Sequence, residues 1–430
     1  MLSGHKPEAM NFVVAFGSYV GLVLVLILLY FMRDLPLFKT GLLGEIRNTL
    51  IKVSDLLVPE LCWKLLEGIN WRLFKQRTMF FQVVYMFLLF LGYFEFVVEV
   101  LPFLHYFYEQ ENHINVPIFN FLTLVTLLVI SSISNPGIIT EKNVRGHVKY
   151  WGTDGLVYWE NTQCATCKLP KPARSKHCSL CGHCVYKFDH HCIWTNSCLG
   201  GNNYRYFILF LLNNLFFFTY GTWMVMRALG GIIEHMHLWD VKYIDDNDQP
   251  QPMNYSILIH HLFMKFPRMV FLAASGIFLD IAVGIFTLFH IMLAFTNQTT
   301  NERHRRGFIE SVIKRLANTN KNDTHERKTI GNNGLAEIDK NEPIDSVKDN
   351  VRLRTKGIKG TEYSNKDNQT SSKRQGKQLV YHHVEELLKK HSSNEILQRL
   401  SNNPYDLGFF KNIWSVFFPL TVPGKNSDIY

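Results

Sequence analysis

Cysteine is nearly missing from most of this 430-residue chain: seven of the eight fall between Cys164 and Cys198, and only Cys62 lies elsewhere. That distribution excludes a disulfide scaffold and places the clustered thiols in a reducing compartment, the cytosol. Acidic side chains are also in short supply, 36 against 45 Lys and Arg, leaving a net charge of +9. An excess of that sign suits nucleic acid or an anionic membrane face. Here the basic residues flank apolar runs instead of gathering on one face, so a lipid bilayer is the expected partner and nucleic acid is not. No internal repeat is evident. No basic cluster precedes the first apolar run, at about 12–32, and no small-residue cleavage site follows it. A membrane anchor is therefore preferred there over a cleaved signal peptide.

What is present is strongly divided. Hydrophobic residues make up 47% of the chain, yet the mean hydropathy is −0.01, so long apolar segments must alternate with very polar ones. Runs at about 12–32, 79–104, 117–139, 206–227 and 269–296 are long enough to cross a bilayer as helices. The fold class expected is a polytopic α-helical membrane protein of about five transmembrane helices, with a cytosolic cysteine-rich module binding two zincs. Lys and Arg set the orientation. Residues 33–78 and 140–205 are rich in them, 105–116 has none, and 228–266 has only Lys242 and Lys265. The positive-inside rule then puts the N-terminus in the lumen and both the cysteine cluster and the C-terminus in the cytosol.

This divides the chain into six parts. Residues 1–78 hold the anchor span and an amphipathic cytosolic linker, in which Cys62 is read as a bystander. Residues 79–139 are a transmembrane pair, 140–205 the cysteine-rich zinc domain, and 206–296 a second pair. Residues 297–376 lead into an Asn/Lys/Asp/Ser-rich stretch expected to be a disordered linker from about 317. In 377–430, Leu379, Val380, Val384, Leu387 and Leu388 recur at helical spacing, as do Ile396, Leu397 and Leu400. Glu95, Glu99 and Asp280 lie inside predicted spans, where a charge is costly and must reach an interface, find a partner or serve function. For Asp280 the functional reading is the closed end of a pocket between the spans. The sequon Asn254-Tyr255-Ser256 falls in the lumenal connector; those at Asn297, Asn322 and Asn368 fall on the cytosolic side.

The Cys164–Cys198 stretch carries the chemistry. The pairs Cys164/Cys167, Cys178/Cys181 and Cys181/Cys184 have the spacing with which two thiolates grip one tetrahedral zinc. Two zincs need eight ligands. Seven cysteines with His177, His183, His190 and His191 supply more than enough, and spacing alone does not say which thiol is spare. A spare cysteine beside an Asp–His pair has the parts of an activated nucleophile.

Asp189-His190-His191-Cys192, in this frame, resembles the DHHC-type protein S-acyltransferases (palmitoyltransferases). Lys171-Pro172-Ala173-Arg174 and His177-Cys178 precede it; Trp194, Asn196, Cys198, Gly200, Asn203 and Phe207 follow. Asn135-Pro136-Gly137 resembles the family's Asp-Pro-Gly motif with Asn in place of Asp. Thr299-Thr300-Asn301-Glu302 matches its Thr-Thr-x-Glu motif, expected to brace the active site. Asn403-Pro404-Tyr405-Asp406-Leu407-Gly408, with Asn412 and Phe417, is similar to its C-terminal motif, whose Asn and aromatic residue are structural contacts. The likeness covers about residues 79–302 and 402–418. Ile193 and Thr195 stand where Pro and Val are commoner, a departure read as tuning lipid or partner and leaving the chemistry intact.

The resemblance implies one zinc on Cys164, Cys167, His177 and Cys184, and a second on Cys178, Cys181, His191 and Cys198. Both would be structural. Cys192 is left free as nucleophile, with His190 as base and Asp189 orienting it. The implied reaction takes an acyl group from palmitoyl-CoA onto Cys192 and passes it to a juxtamembrane cysteine of an integral membrane protein. A sixteen-carbon chain gains roughly ten kcal/mol by staying out of water, at about 0.8 kcal/mol per CH₂, so the nucleophile belongs at the bilayer surface. Lys171, Arg174 and Lys176 are candidates for the CoA phosphates, against a reading as solvated charge. The extra N-terminal span and Ile193 are similar to a fungal branch resident in the endoplasmic reticulum and acting on SNARE-like proteins; the Golgi is the alternative location. The competing classes are a non-catalytic membrane adaptor and a membrane-anchored RING-type ubiquitin ligase, neither of which explains the Cys-His-Asp set.

Overall fold

A computed structural model describes residues 76–108, 115–244, 248–330 and 364–419, with isolated positions at 45, 68, 72 and 73. The first expected span, at 12–32, and most of the linker with Cys62 lie outside the described residues. The other four spans are helices. They are α1 (Phe80–Phe107), α2 (Asn115–Ile133), α4 (Tyr204–His235) and α6 (Pro267–Phe295), all long and apolar enough to cross a membrane. A short helix, α3 (Val144–Tyr150), follows α2. At 32 residues α4 is about 48 Å long at 1.5 Å per residue, more than the hydrocarbon core requires. It is the central post, packed against α1, α2 and α6.

Two apolar cores lie at opposite ends of this bundle. Far from the cysteines, Phe96, Val100 and Leu104 of α1 meet Met224, Val225 and Ala228 of α4 and Met269 of α6. There α1 passes through a π-helical turn at Phe96–Val100. Near the cysteines, Leu124 and Leu128 of α2 pack with Phe207, Ile208 and Leu211 of α4, and Cys192 belongs to the same cluster. The intramembrane acids are paired or partly so. Asp280 accepts from the Thr219 hydroxyl at 2.8 Å, linking α6 to α4, and Glu99 takes Arg268 at 2.7 Å.

Between α2 and α4 the chain has little regular structure: two short antiparallel hairpins, β1 (Lys176–Cys178) with β2 (His183–Val185), and β3 (His190–Cys192) with β4 (Ser197–Leu199). A third hairpin, β5 (Lys242–Ile244) with β6 (Pro250–Pro252), and the helix α5 (Tyr255–Lys265) fill the connector at the other end of the bundle.

After α6 the chain enters α7 (Thr300–Ile330), then α8 (Ser364–Lys390), α9 (Ser393–Ser401) and α10 (Phe409–Phe417). The apolar positions at helical spacing are core residues. Val380, Val384, Ile396 and Leu400 bury against Ile309, Val312 and Ile313 of α7 and against Leu156–Tyr158. Of the linker expected from 317, α7 takes in residues up to Ile330 and α8 begins at Ser364; 331–363 lie outside the described residues. Once Ile309, Val312 and Ile313 anchor the helix, each further residue adds a backbone hydrogen bond without a new nucleation cost.

Candidate active site and zinc-ligand clusters

The hairpins explain the cysteine pattern. In β1–β2, His177 lies directly opposite Cys184; in β3–β4, His191 lies directly opposite Cys198. Opposed residues of an antiparallel pair share a face and come within about 5 Å at Cβ, so each hairpin presents a His/Cys pair to one point. Neighbours along a strand face opposite ways. His177 and Cys178 therefore serve different groups, and Cys192 is turned away from the group that His191 joins.

Two four-residue groups result: Cys164, Cys167, His177 and Cys184, and Cys178, Cys181, His191 and Cys198. In the first, His177 Nδ1 is 3.6, 3.2 and 3.8 Å from the three sulfurs. In the second, His191 Nδ1 is 3.7, 3.3 and 3.7 Å from its sulfurs. Zn–S and Zn–N bonds of about 2.3 and 2.0 Å give tetrahedral edges of roughly 3.5–3.8 Å. The donor sets fit a Cys₃His zinc each; the ions would supply scaffold cross-links. Adding fourteen to each number of the first group gives the second, a repeat that the sequence reading missed and that could have been found by subtracting positions.

Cys192 stands outside both groups. It is 5% exposed and packs into the core formed by α2 and α4. His190, two residues back on the same strand, shares its face. The imidazole is 29% exposed, and its Nδ1 lies 2.6 Å from Asp189 Oδ2. Asp189 is itself 2% exposed. It accepts from the backbone N–H of Thr300 at 2.6 Å and from the Thr300 hydroxyl at 3.0 Å, so its carboxylate meets the N-terminus of α7, where negative charge is favoured.

The electrostatics follow from these contacts. Burial disfavours the charge on Asp189, but the His190 hydrogen bond and the Thr300 N–H outweigh it and hold the carboxyl below its ordinary range. Burial would lower His190 too; its bonds to Asp189 and Cys192 reverse this and push it up to about 10. For Cys192, burial opposes ionisation, yet His190 prevails and the thiol falls below its usual value. The pair can rest as thiolate and imidazolium.

The motifs around this centre turn out to be joints. Thr299 and Glu302 form a capping box at the start of α7: the Thr299 N–H donates to Glu302 Oε2 at 3.0 Å, and the Glu302 N–H donates to Thr299 Oγ1 at 3.2 Å. Glu302 also pairs with Arg174 at 2.5 Å. Arg174 is fully buried, donates to the Asn297 carbonyl at 2.7 Å, and lies between the rings of Trp151 and Tyr405 at 4.6 and 4.7 Å. It is not a CoA contact. Its guanidinium is used up inside the protein, and the expectation placed on it is corrected here. Lys171 is half-buried, whereas Lys176 is exposed with its ammonium over the Phe188 ring.

The C-terminal motif closes the end of α6. Asn412 donates to the Phe295 carbonyl and Asn403 to the Thr296 carbonyl, each at 2.6 Å, supplying partners to acceptors that a helix end leaves open. Asn135 accepts from the N–H groups of Gly137 and Ile138 at 2.9 and 3.0 Å. Its role needs one acceptor oxygen, which Asn supplies as well as Asp. Gly200 is forced by crowding, since a Cβ there would meet the Pro136 carbonyl at 2.4 Å.

One neighbour escaped the sequence reading. His290, an isolated imidazole in apolar α6, is 1% exposed; its Nδ1 is 2.8 Å from the Tyr204 hydroxyl, and its ring centroid is 5.8 Å from that of His190. An ionisable group inside a predicted span was the available signal.

Fold and site together define a polytopic membrane protein in which a Cys/His-held loop presses one unligated thiol, beside a His–Asp pair, against the transmembrane helices. The DHHC palmitoyltransferase family matches residues 158–307. Palmitoyltransferase ZDHHC4 of Bos taurus is 31% identical over 299 residues, covering 69% of this chain and 85% of that protein. Palmitoyltransferase SWF1 of Yarrowia lipolytica is 34% identical over 194 residues, 44% of this chain and 48% of its own length. SWF1 of Saccharomyces cerevisiae is 49% identical over 75 residues, 17% and 22%. The chain belongs to the DHHC palmitoyltransferase family and is a protein S-acyltransferase.

Proposed function

We propose that the chain works in two steps, with Cys192 as the acyl carrier between palmitoyl-CoA and a protein cysteine. One observation carries this reading: Cys192 is the clustered cysteine that neither ligand group takes, and it shares a strand face with the imidazole that Asp189 holds. His190 takes the thiol proton, and Asp189 fixes the tautomer and steadies the imidazolium. Attack on the thioester leaves the acyl group on Cys192 and returns the proton to the departing CoA thiolate. In the second step the incoming protein thiol gives its proton to His190 and takes the acyl group. The two ligand groups would hold zinc as scaffold only. Lys171 and Lys176 are the remaining candidates for the CoA phosphates.

The acceptor is a cysteine next to the membrane in an integral membrane protein, SNARE-like proteins above all. Burial of Cys192 against α2 and α4 supports this, because an acyl chain on that sulfur can stay among apolar side chains while the acceptor approaches along the bilayer. The location we infer is the endoplasmic reticulum, with the lumenal N-terminus and cytosolic active site that the basic residues indicate. Mass spectrometry of the purified chain given mixed acyl-CoAs tests the first step. An acyl group on Cys192, absent in Cys192→Ser, is expected; acylation persisting in that variant would sink the reading.

A further inference from the structure

Tyr204 and His290 have no part in the two steps above, yet they lie directly behind the residues that do. Both sit at the end of the bundle nearest the cysteines: Tyr204 opens α4, and His290 lies in the last two turns of α6. The Tyr204 hydroxyl is 2.8 Å from His290 Nδ1, and both residues are buried. Burying two polar groups between helices costs more than an apolar contact would, and an ionisable residue inside a span marks a place where function is sought.

The pair borders the active centre. A ring nitrogen of His290, an oxygen of Asp189 and a ring nitrogen of His190 all lie within 4.8 Å of one another. Phe207 of α4 adds a wall, in T-shaped contact with His190 at 5.6 Å and with His290 at 5.0 Å. The bond from Asp189 fixes one nitrogen of the His190 ring and leaves it a pivot. Phe207 and His290, packed beside the ring, limit its swing.

Tyr204 and His290 are held in turn by the elements that carry the active residues. Asn203, fully buried, accepts from the Gly200 N–H and donates to the Cys198 carbonyl, each at 2.9 Å, which ties the start of α4 to β4. β4 pairs with β3 and sets Leu199 opposite His190. On the other side, the chain leaves α6 and runs on to Thr300, whose N–H and hydroxyl hold Asp189. The Tyr204–His290 bond therefore closes a ring of contacts around the Asp189–His190 pair, from β3 through β4 and α4 to α6, and from α6 back to Asp189.

We propose that Tyr204 and His290 act as one positioning unit for the Asp189–His190 pair. Bonded to each other, they set a fixed polar group beside the carboxylate and keep the imidazole turned toward Cys192. They act through Asp189 and His190, not on the acyl group itself. Without the Tyr204 hydroxyl the His290 ring loses its anchor, and without the imidazole the hydroxyl loses its partner, so either loss releases the same constraint. The role rests on His190 serving Cys192 as base.

The test uses the full-length chain in lipid nanodiscs with palmitoyl-CoA, following acyl-enzyme formation by mass spectrometry and zinc content by elemental analysis. Tyr204→Phe and His290→Phe keep a ring at each place and remove the hydrogen bond. Each should slow the limiting rate roughly 10- to 100-fold, the scale of an ångström's misplacement at a reacting group, with half-saturating palmitoyl-CoA and zinc content unchanged. The double variant should be no slower than either single one, because the two share one bond. His290→Gln should recover part of the rate lost in His290→Phe. Wild-type rates in both Phe variants would overturn the proposal, and so would losses that multiply in the double variant. Zinc loss in Tyr204→Phe and in both His290→Phe and His290→Leu would make the two residues packing groups and overturn it as well. Cys192→Ser run in parallel separates the two readings: acyl transfer to that variant removes the nucleophile assignment itself. A silent Cys192→Ser beside fully active Phe variants removes only the role of Tyr204 and His290.

Discussion

The hairpins β1–β2 and β3–β4 are near copies that do different work. Each sets a histidine across from a cysteine, His177 with Cys184 and His191 with Cys198, and each carries a second cysteine just after that histidine. In the first hairpin that cysteine, Cys178, joins the second ligand group; in the other, Cys192 turns into the apolar cluster of α2 and α4. Strand alternation sends both away from their own hairpin's ligand group. What differs is what waits on the far side: three candidate ligands for Cys178, transmembrane side chains and His190 for Cys192.

The largest expected effects come from breaking that contrast at matched positions. Cys192→Ser should abolish acyl-enzyme formation while keeping two zincs per chain; Cys178→Ser should lose one zinc and the fold around it. Elemental analysis and limited proteolysis beside an acylation assay distinguish the two, and zinc loss from Cys192→Ser would contradict the division. Stripping both metals with a chelator should unfold the loop, given that structural zinc contributes about 10–16 kcal/mol in small zinc-dependent folds.

Next comes His190, the proposed base. His190→Ala should slow acyl-enzyme formation by roughly 10²- to 10⁴-fold, as loss of a general base does, and leave zinc intact. His191→Ala, one residue on and facing the other way, should lose zinc as well. Equal phenotypes at 190 and 191 would erase the distinction between the strand faces.

The buried Arg174–Glu302 pair ties the segment just before β1 to α7, whose N-terminus holds Asp189. Glu302→Gln leaves the fully buried guanidinium short of its counter-charge and should cost about 3–5 kcal/mol, read as a fall in thermal midpoint. A midpoint unchanged by that substitution would mean that Arg174 finds its compensation elsewhere. The smallest effect is expected at Asn135→Asp, within about 0.5 kcal/mol, since either side chain supplies the acceptor that Gly137 and Ile138 use. A large loss there would show that charge matters at the turn.

Much of the fold was legible because the forces that set it are local or nearly so. Four apolar runs announced four helices, since a segment in lipid must satisfy its own backbone. The spacing of Val380, Val384, Ile396 and Leu400 announced the helical faces that the structure packs against α7. Arg174 was misread because nothing in its neighbourhood reveals that Glu302, 128 residues away, will bury it. The fourteen-residue repeat of the two Cys/His groups becomes conspicuous once their members are sorted in space.

The sequence by itself determined which segments are apolar enough to span a bilayer, and it supplied two sets of Cys and His residues, at a regular interval, that could hold metal. These are properties of composition and of short spacing, where the chain's own periodicity does the sorting. Only the tertiary structure decided that the Asp189 carboxylate meets the start of α7, that Asn403 and Asn412 close the end of α6, and that Arg174 is a buried joint. Each of those contacts joins residues roughly a hundred or more positions apart. Their pairing depends on how helices and hairpins pack, and no local pattern encodes it.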